Sequence, residues 1–125
     1  MMKKAILLVG HGSKVEQANE ALHKLCRLVE KKAAAGEVVA HAYLQFASPA
    51  LEGAIANLDA QQVGEVVVVP IFLYEGVHFS QDIREFVERE AARRPHIRLV
   101  LAPVLGVDER MAEIVWDRVR EAKGD

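Results

Sequence analysis

One cysteine, Cys26, in 125 residues leaves no second thiol for an internal disulfide and suits a reducing compartment, so the expected location is the cytoplasm. Its place within a helical pattern makes it a small core residue. Charge of one sign is also scarce: 16 Lys and Arg stand against 18 Asp and Glu, the net charge is −2 and the isoelectric point is near 6.2. No basic field exists to hold nucleic acid or an anionic membrane, and neither is expected as a partner. Long hydrophobic runs are missing too, since residues 5–9 and 66–73, the longest, fall far short of the roughly 20 that span a bilayer. The start, Met1-Met2-Lys3-Lys4, leads into a short strand without a cleavage site, so a signal peptide is not expected. Repeats, linkers and low-complexity segments are absent. So are the Gly-x-Ser-x-Gly elbow of serine hydrolases and the Gly-x-x-x-x-Gly-Lys phosphate loop, while Gly10 occupies the place of the arginine in a phosphatase-type Arg-His-Gly.

What is present is a regular alternation. Residues 5–9 are an apolar run ending at Gly10-His11-Gly12-Ser13, the pattern of a buried parallel strand. Ser13 with Glu16 reads as a capping box opening a helix over residues 13–34, with Ala18, Ala21, Leu22, Leu25, Leu28 and Val29 on one stripe. Residues 38–46 form strand two, and Ser48-Pro49 supply the cap and first-turn proline of a helix buried through Leu51, Ala54, Ile55 and Leu58. The valine-rich run 65–71 predicts a strand covered on both faces, with Val66 to Val69 nearly buried. An irregular loop from Phe72 to Phe79 follows, and Ser80 is expected to cap a third helix that turns Ile83, Phe86, Val87 and Ala91 inward. Residues 96–101 make strand four, and Asp108 caps a last helix with Met111, Ile114, Val115 and Val119 inward. The order βαβαβαβα over residues 1–125 predicts a single three-layer α/β domain. Its four-stranded parallel sheet takes the order 2-1-3-4, with helices on both faces and right-handed crossovers.

That topology makes the ends of strands one and three neighbours, which brings the loops carrying His11 and His78 to one crevice at the carboxyl edge, where open α/β sheets bind ligands. Gly10 and Gly12 let backbone and ligand approach His11 closely. Two neutral imidazoles beside an acidic side chain, Glu75, make a donor set for a divalent transition metal. His23, His41 and His96 read instead as surface or structural residues.

Val9-Gly10-His11-Gly12-Ser13, followed by Val68-Val69-Pro70-Ile71-Phe72-Leu73, Gly76-Val77-His78 and Asp82-Ile83, resembles the small CbiX-type sirohydrochlorin chelatases. The likeness extends to Ala42-Tyr43-Leu44, Pro49 and the turn Pro103-Val104-Leu105-Gly106. It implies a chelatase-like domain that inserts a divalent metal, cobalt first and iron or nickel otherwise, into a sirohydrochlorin-type tetrapyrrole, with no organic cofactor. It makes His11 and His78 the metal-handling residues. Gly10, Gly12, Ser13, Gly76, Val77 and Ser80 are expected to line the substrate, with the helix starts at Ser13 and Ser80, Lys14 and Arg84 anchoring its peripheral carboxylates. The chain has the length of one half of the two-half chelatases, which predicts a homodimer. A carrier that binds metal or tetrapyrrole without accelerating insertion is the non-enzyme alternative, and turnover separates the two.

Overall fold

The computed structural model describes residues 2–124, with the side chains of Val77 and His78 outside the described residues. Its elements are β1 (Lys3–Gly10), α1 (Glu16–Glu30), β2 (Glu37–Tyr43), α2 (Leu51–Ala60), β3 (Val63–Pro70), α3 (Val77–Arg93), β4 (Arg98–Leu101) and α4 (Glu109–Lys123). The strands form one parallel sheet in the order β2-β1-β3-β4, as the alternation predicts. β1 is hydrogen-bonded on both sides: Leu7 lies opposite Ala40 on one flank and Val68 on the other. The pairing runs past the strand ends, where the Ile71 N–H donates to the Val9 carbonyl at 2.8 Å.

Side-chain alternation divides the core in two. On one face Ala5, Leu7, Val9, Val66 and Val68 pack with Leu51, Ile55 and Leu58 of α2 and with Ile83 and Val87 of α3. On the other, Leu8, Val39 and Tyr43 pack with Leu22 and Cys26 of α1. The buried stripe of α1 is narrower than its periodicity predicts: Leu25 and Val29 are half-buried, whereas Ala18, Ala21 and Leu28 face solvent. The small cluster beneath leaves those three nothing to cover.

α4 departs further from expectation. Asp108 caps it as predicted, its carboxylate accepting from the Arg110 N–H at 2.9 Å. None of its residues is buried, however: Ile114 and Val115 are exposed, Met111 and Val119 only half-buried, and neither core cluster includes any of them. With α4 away from the sheet, Val67 and Val69 remain half-buried while Val66 and Val68 are fully enclosed. Near-complete burial of all four valines is therefore corrected to two. Val68→Ala is expected to lower stability by roughly 1–3 kcal/mol and Val67→Ala by distinctly less. Equal shifts of the two midpoints in urea would mean that both faces are covered.

Three helix starts also differ. The Ser13 Oγ accepts from the Val15 N–H at 3.0 Å, and the Asn19 side chain takes both backbone groups of Ser13, at 2.9 and 2.8 Å. Ser13 is thus held in a turn and α1 begins at Glu16, without the expected capping box. Ahead of α2, the Pro49 carbonyl accepts from the Tyr43 N–H at 2.9 Å, which ties that segment to β2 and leaves Ala50 as the residue preceding the helix. α3 starts earlier than expected, because the Gly76 carbonyl takes the Ser80 N–H at 3.1 Å; Ser80 is a helical residue and not a cap. Among the described residues its Oγ is buried without a hydrogen-bond partner.

Candidate functional site

The β1–α1 loop holds His11 at the carboxyl edge of the sheet. The Leu44 N–H donates to the Gly10 carbonyl at 3.0 Å and the Gln45 N–H to the His11 carbonyl at 3.2 Å, so the segment after β2 is fastened alongside. Gly12 has φ +86°, and a Cβ there would stand 1.8 Å from the Gln45 carbonyl oxygen, so no other residue fits. Gly10 is close-packed as well: a Cβ would lie 2.9 Å from Leu22 Cδ2.

The imidazole itself is exposed but supported on two sides. Its ring stacks on Phe72 at 4.1 Å between centroids and meets Phe79 edge-on at 4.5 Å. Phe72 follows β3 and Phe79 lies in the first turns of α3, so the start of α3, including the backbone at His78, is brought up to His11. The side chains of His78 and Val77, both expected at the site, lie outside the described residues. Glu75 is exposed, and with Gly76, Ser80 and Arg84 it lines a separate cavity of about 490 Å³ along α3. The expected substrate-lining residues whose side chains are described thus fall into two groups: Gly10, Gly12 and Ser13 in the His11 loop, and Gly76 and Ser80 at the α3 start, where Glu75, expected to act with the histidines, also lies. Among the described residues, no three His, Cys, Asp or Glu side chains stand close enough to hold a metal ion.

Sequence reasoning missed the two phenylalanines. Both read as residues of the irregular loop after strand three, and only folding brings residues 72 and 79 to either side of residue 11. It also missed that His23 and His41 face one another, their rings 5.0 Å apart between centroids. Burial, and then the His23 charge, push the His41 imidazole below its ordinary pKa.

An open parallel sheet with helices packed on both faces, though one face is only partly covered, and with an imidazole at its carboxyl edge beside the switch between β1 and β3, defines a ligand-binding domain of the doubly wound α/β class. The CbiX family profile matches residues 5–122, and the chain belongs to that family. It is similar to a sirohydrochlorin cobaltochelatase of Sulfurisphaera tokodaii, with 31% identity over 93% of this chain and 91% of the relative. The sirohydrochlorin ferrochelatase of Bacillus subtilis is 31% identical over 96% of this chain, which spans only 46% of that protein. A crystal structure of the chelatase SirB from Bacillus subtilis subspecies spizizenii in complex with cobalt superposes with a TM-score of 0.87 at 31% identity, over 96% of this chain and 51% of SirB. None of the helices is long and apolar enough to cross a membrane among the described residues.

Proposed function

We propose that this protein is a sirohydrochlorin metal chelatase, with Co2+ as first metal substrate and Fe2+ or Ni2+ as alternatives, working in the cytoplasm without an organic cofactor. The observation that carries the reading is an exposed imidazole fixed between two aromatic rings at the carboxyl sheet edge of a CbiX-family chain. Cobaltochelatase relatives of nearly the same length favour cobalt.

Insertion requires the ion to shed water, the macrocycle to bend until its nitrogens point at the ion, and two pyrrole protons to leave. His11 and His78 serve the first and last needs, because neutral imidazole ligates without adding charge and accepts protons near neutral pH. Phe72 and Phe79 hold the His11 ring so that its orientation is set before substrate arrives. Glu75 steadies the ion or relays protons from the α3 side. Gly10, Gly12, Ser13, Gly76, Val77 and Ser80 border the macrocycle.

The whole chain acts as one chelatase-like domain and pairs as a homodimer. The unburied apolar side chains of α4 and the half-open sheet face at Val67 and Val69 support this, since each is a surface that a second copy would cover. SirB and the ferrochelatase are about twice as long as this chain.

Anaerobic spectrophotometry of sirohydrochlorin with each of the three ions, with and without protein, tests the activity. The expected result is a metallated spectrum forming fastest with protein and cobalt. Tetrapyrrole binding with no gain in rate over the protein-free reaction would make the chain a carrier.

A further inference from the structure

The segment after β2 carries an aromatic side chain that neither the core nor the insertion chemistry uses. Phe46 stands three residues beyond the end of β2, belongs to neither core cluster and is 60% exposed. Its backbone lies in the left-handed region, with φ +62°. Gln62, the other described non-glycine residue with positive φ, follows α2 as part of its termination. Phe46 follows a strand and has no such reason. A left-handed backbone is unfavourable for a bulky side chain and persists only where the surroundings impose it.

Here the surroundings are the His11 loop. The Gln45 N–H donates to the His11 carbonyl at 3.2 Å, and the Gln45 carbonyl oxygen packs where Gly12 has no side chain. Both backbone groups of Gln45 are thus held by the loop, and the chain turns through Phe46 directly after it. From the same loop Lys14 reaches across to set its ammonium 5.0 Å from the Phe46 ring centroid. Lys14 is exposed and forms no ion pair among the described residues. The two residues line one end of a cavity of about 420 Å³ between α1 and β2, the end next to His11. Glu16 and Glu20 line the same cavity from α1, so an anionic group is kept out of its interior and meets Lys14 from the side of His11.

We propose that Phe46 and Lys14 together hold the rim of the tetrapyrrole, the phenyl ring against its apolar edge and the ammonium on one peripheral carboxylate, and so fix how the macrocycle lies over His11. The rim of such a ring alternates apolar edge with carboxylate arms, which a paired phenyl and ammonium match. Lys14 is already expected to anchor a carboxylate; the structure adds the side chain that holds it and the apolar half of the contact. The identity of the ligand rests on the chelatase reading.

The test is a titration of metal-free sirohydrochlorin into the protein, followed by absorbance, with a thermal melt of each variant. Phe46→Gly and Phe46→Asn both accept a left-handed backbone and remove no core contact, so they are expected to melt close to the parent. Both are expected to weaken tetrapyrrole binding by about tenfold, as loss of a partly covered phenyl group does. Phe46→Tyr, which keeps the ring, is expected to bind as the parent does. Lys14→Gln is expected to weaken binding by about threefold and to flatten its salt dependence, as loss of an exposed ion pair does. Parent-level binding in Phe46→Gly and Phe46→Asn overturns the contact, and so does a fall in melting in both, which would make Phe46 a structural residue. A parent protein that binds sirohydrochlorin without metallating it would remove the chelatase activity and leave the rim contact to stand on the variants, whereas one that binds none removes both.

Discussion

His11→Ala is expected to lower metal insertion by ~10²-fold or more, as loss of a proton-accepting imidazole does, while melting stays close to that of the parent. The separation follows from the environment of the ring. It is exposed, no side-chain hydrogen bond of His11 occurs among the described residues, and its packing partners Phe72 and Phe79 also belong to the core beneath. The loop does not depend on the side chain, because Gly10 and His11 are tied to Leu44 and Gln45 through backbone carbonyls and Gly12 fits against Gln45. Initial rates of cobalt insertion, with a thermal melt of the same sample, decide the matter. Parent-level turnover in His11→Ala would remove the imidazole from the chemistry.

The second large effect concerns assembly. Introducing Ile114→Glu and Val115→Glu together is expected to convert a dimer to a monomer in sedimentation at micromolar concentration, with little change in the fold. Both positions are exposed on α4, which contributes nothing to either core cluster, so the carboxylates have no intramolecular packing to disrupt. Covering the two side chains in an interface is worth roughly 1.5–3 kcal/mol each, and burying carboxylates there adds a desolvation cost. Association should therefore weaken by at least about 10²-fold. A parent protein that sediments as a monomer under the same conditions would rule out the pairing.

Much of this molecule is legible from periodicity. The valine run gives β3, the alternation gives the strand order, and Leu51, Ala54, Ile55 and Leu58 are buried as their spacing requires. Helix starts are less legible, because a cap depends on which backbone groups are free. Ser13 looks like a cap until Asn19 takes its N–H and carbonyl, and Ser80 looks like one until Gly76 accepts the helical bond first. Amphipathicity tells that α4 has an apolar side but not whether this chain covers it. Glu90 shows the reverse limit. A charged residue in a helical stripe reads as exposed, yet it is fully buried with its Oε2 accepting from Arg93 at 3.0 Å, beside Arg94, which also binds Asp59 of α2. At the site, the positions of His11 and of the α3 start relative to one another follow from topology, whereas the phenylalanines and the His23–His41 pair required tertiary contacts.

β1 carries His11, and its ladder is closed on both flanks as far as Val9. Amides in such a strand exchange with solvent only through large-scale opening of the protein. The imidazole is therefore mounted one residue beyond a strand paired on both flanks, which cannot yield without the sheet coming apart. In the proposed reaction, a ring and an ion brought over His11 therefore meet a group whose backbone is fastened to the sheet rather than carried on a free loop.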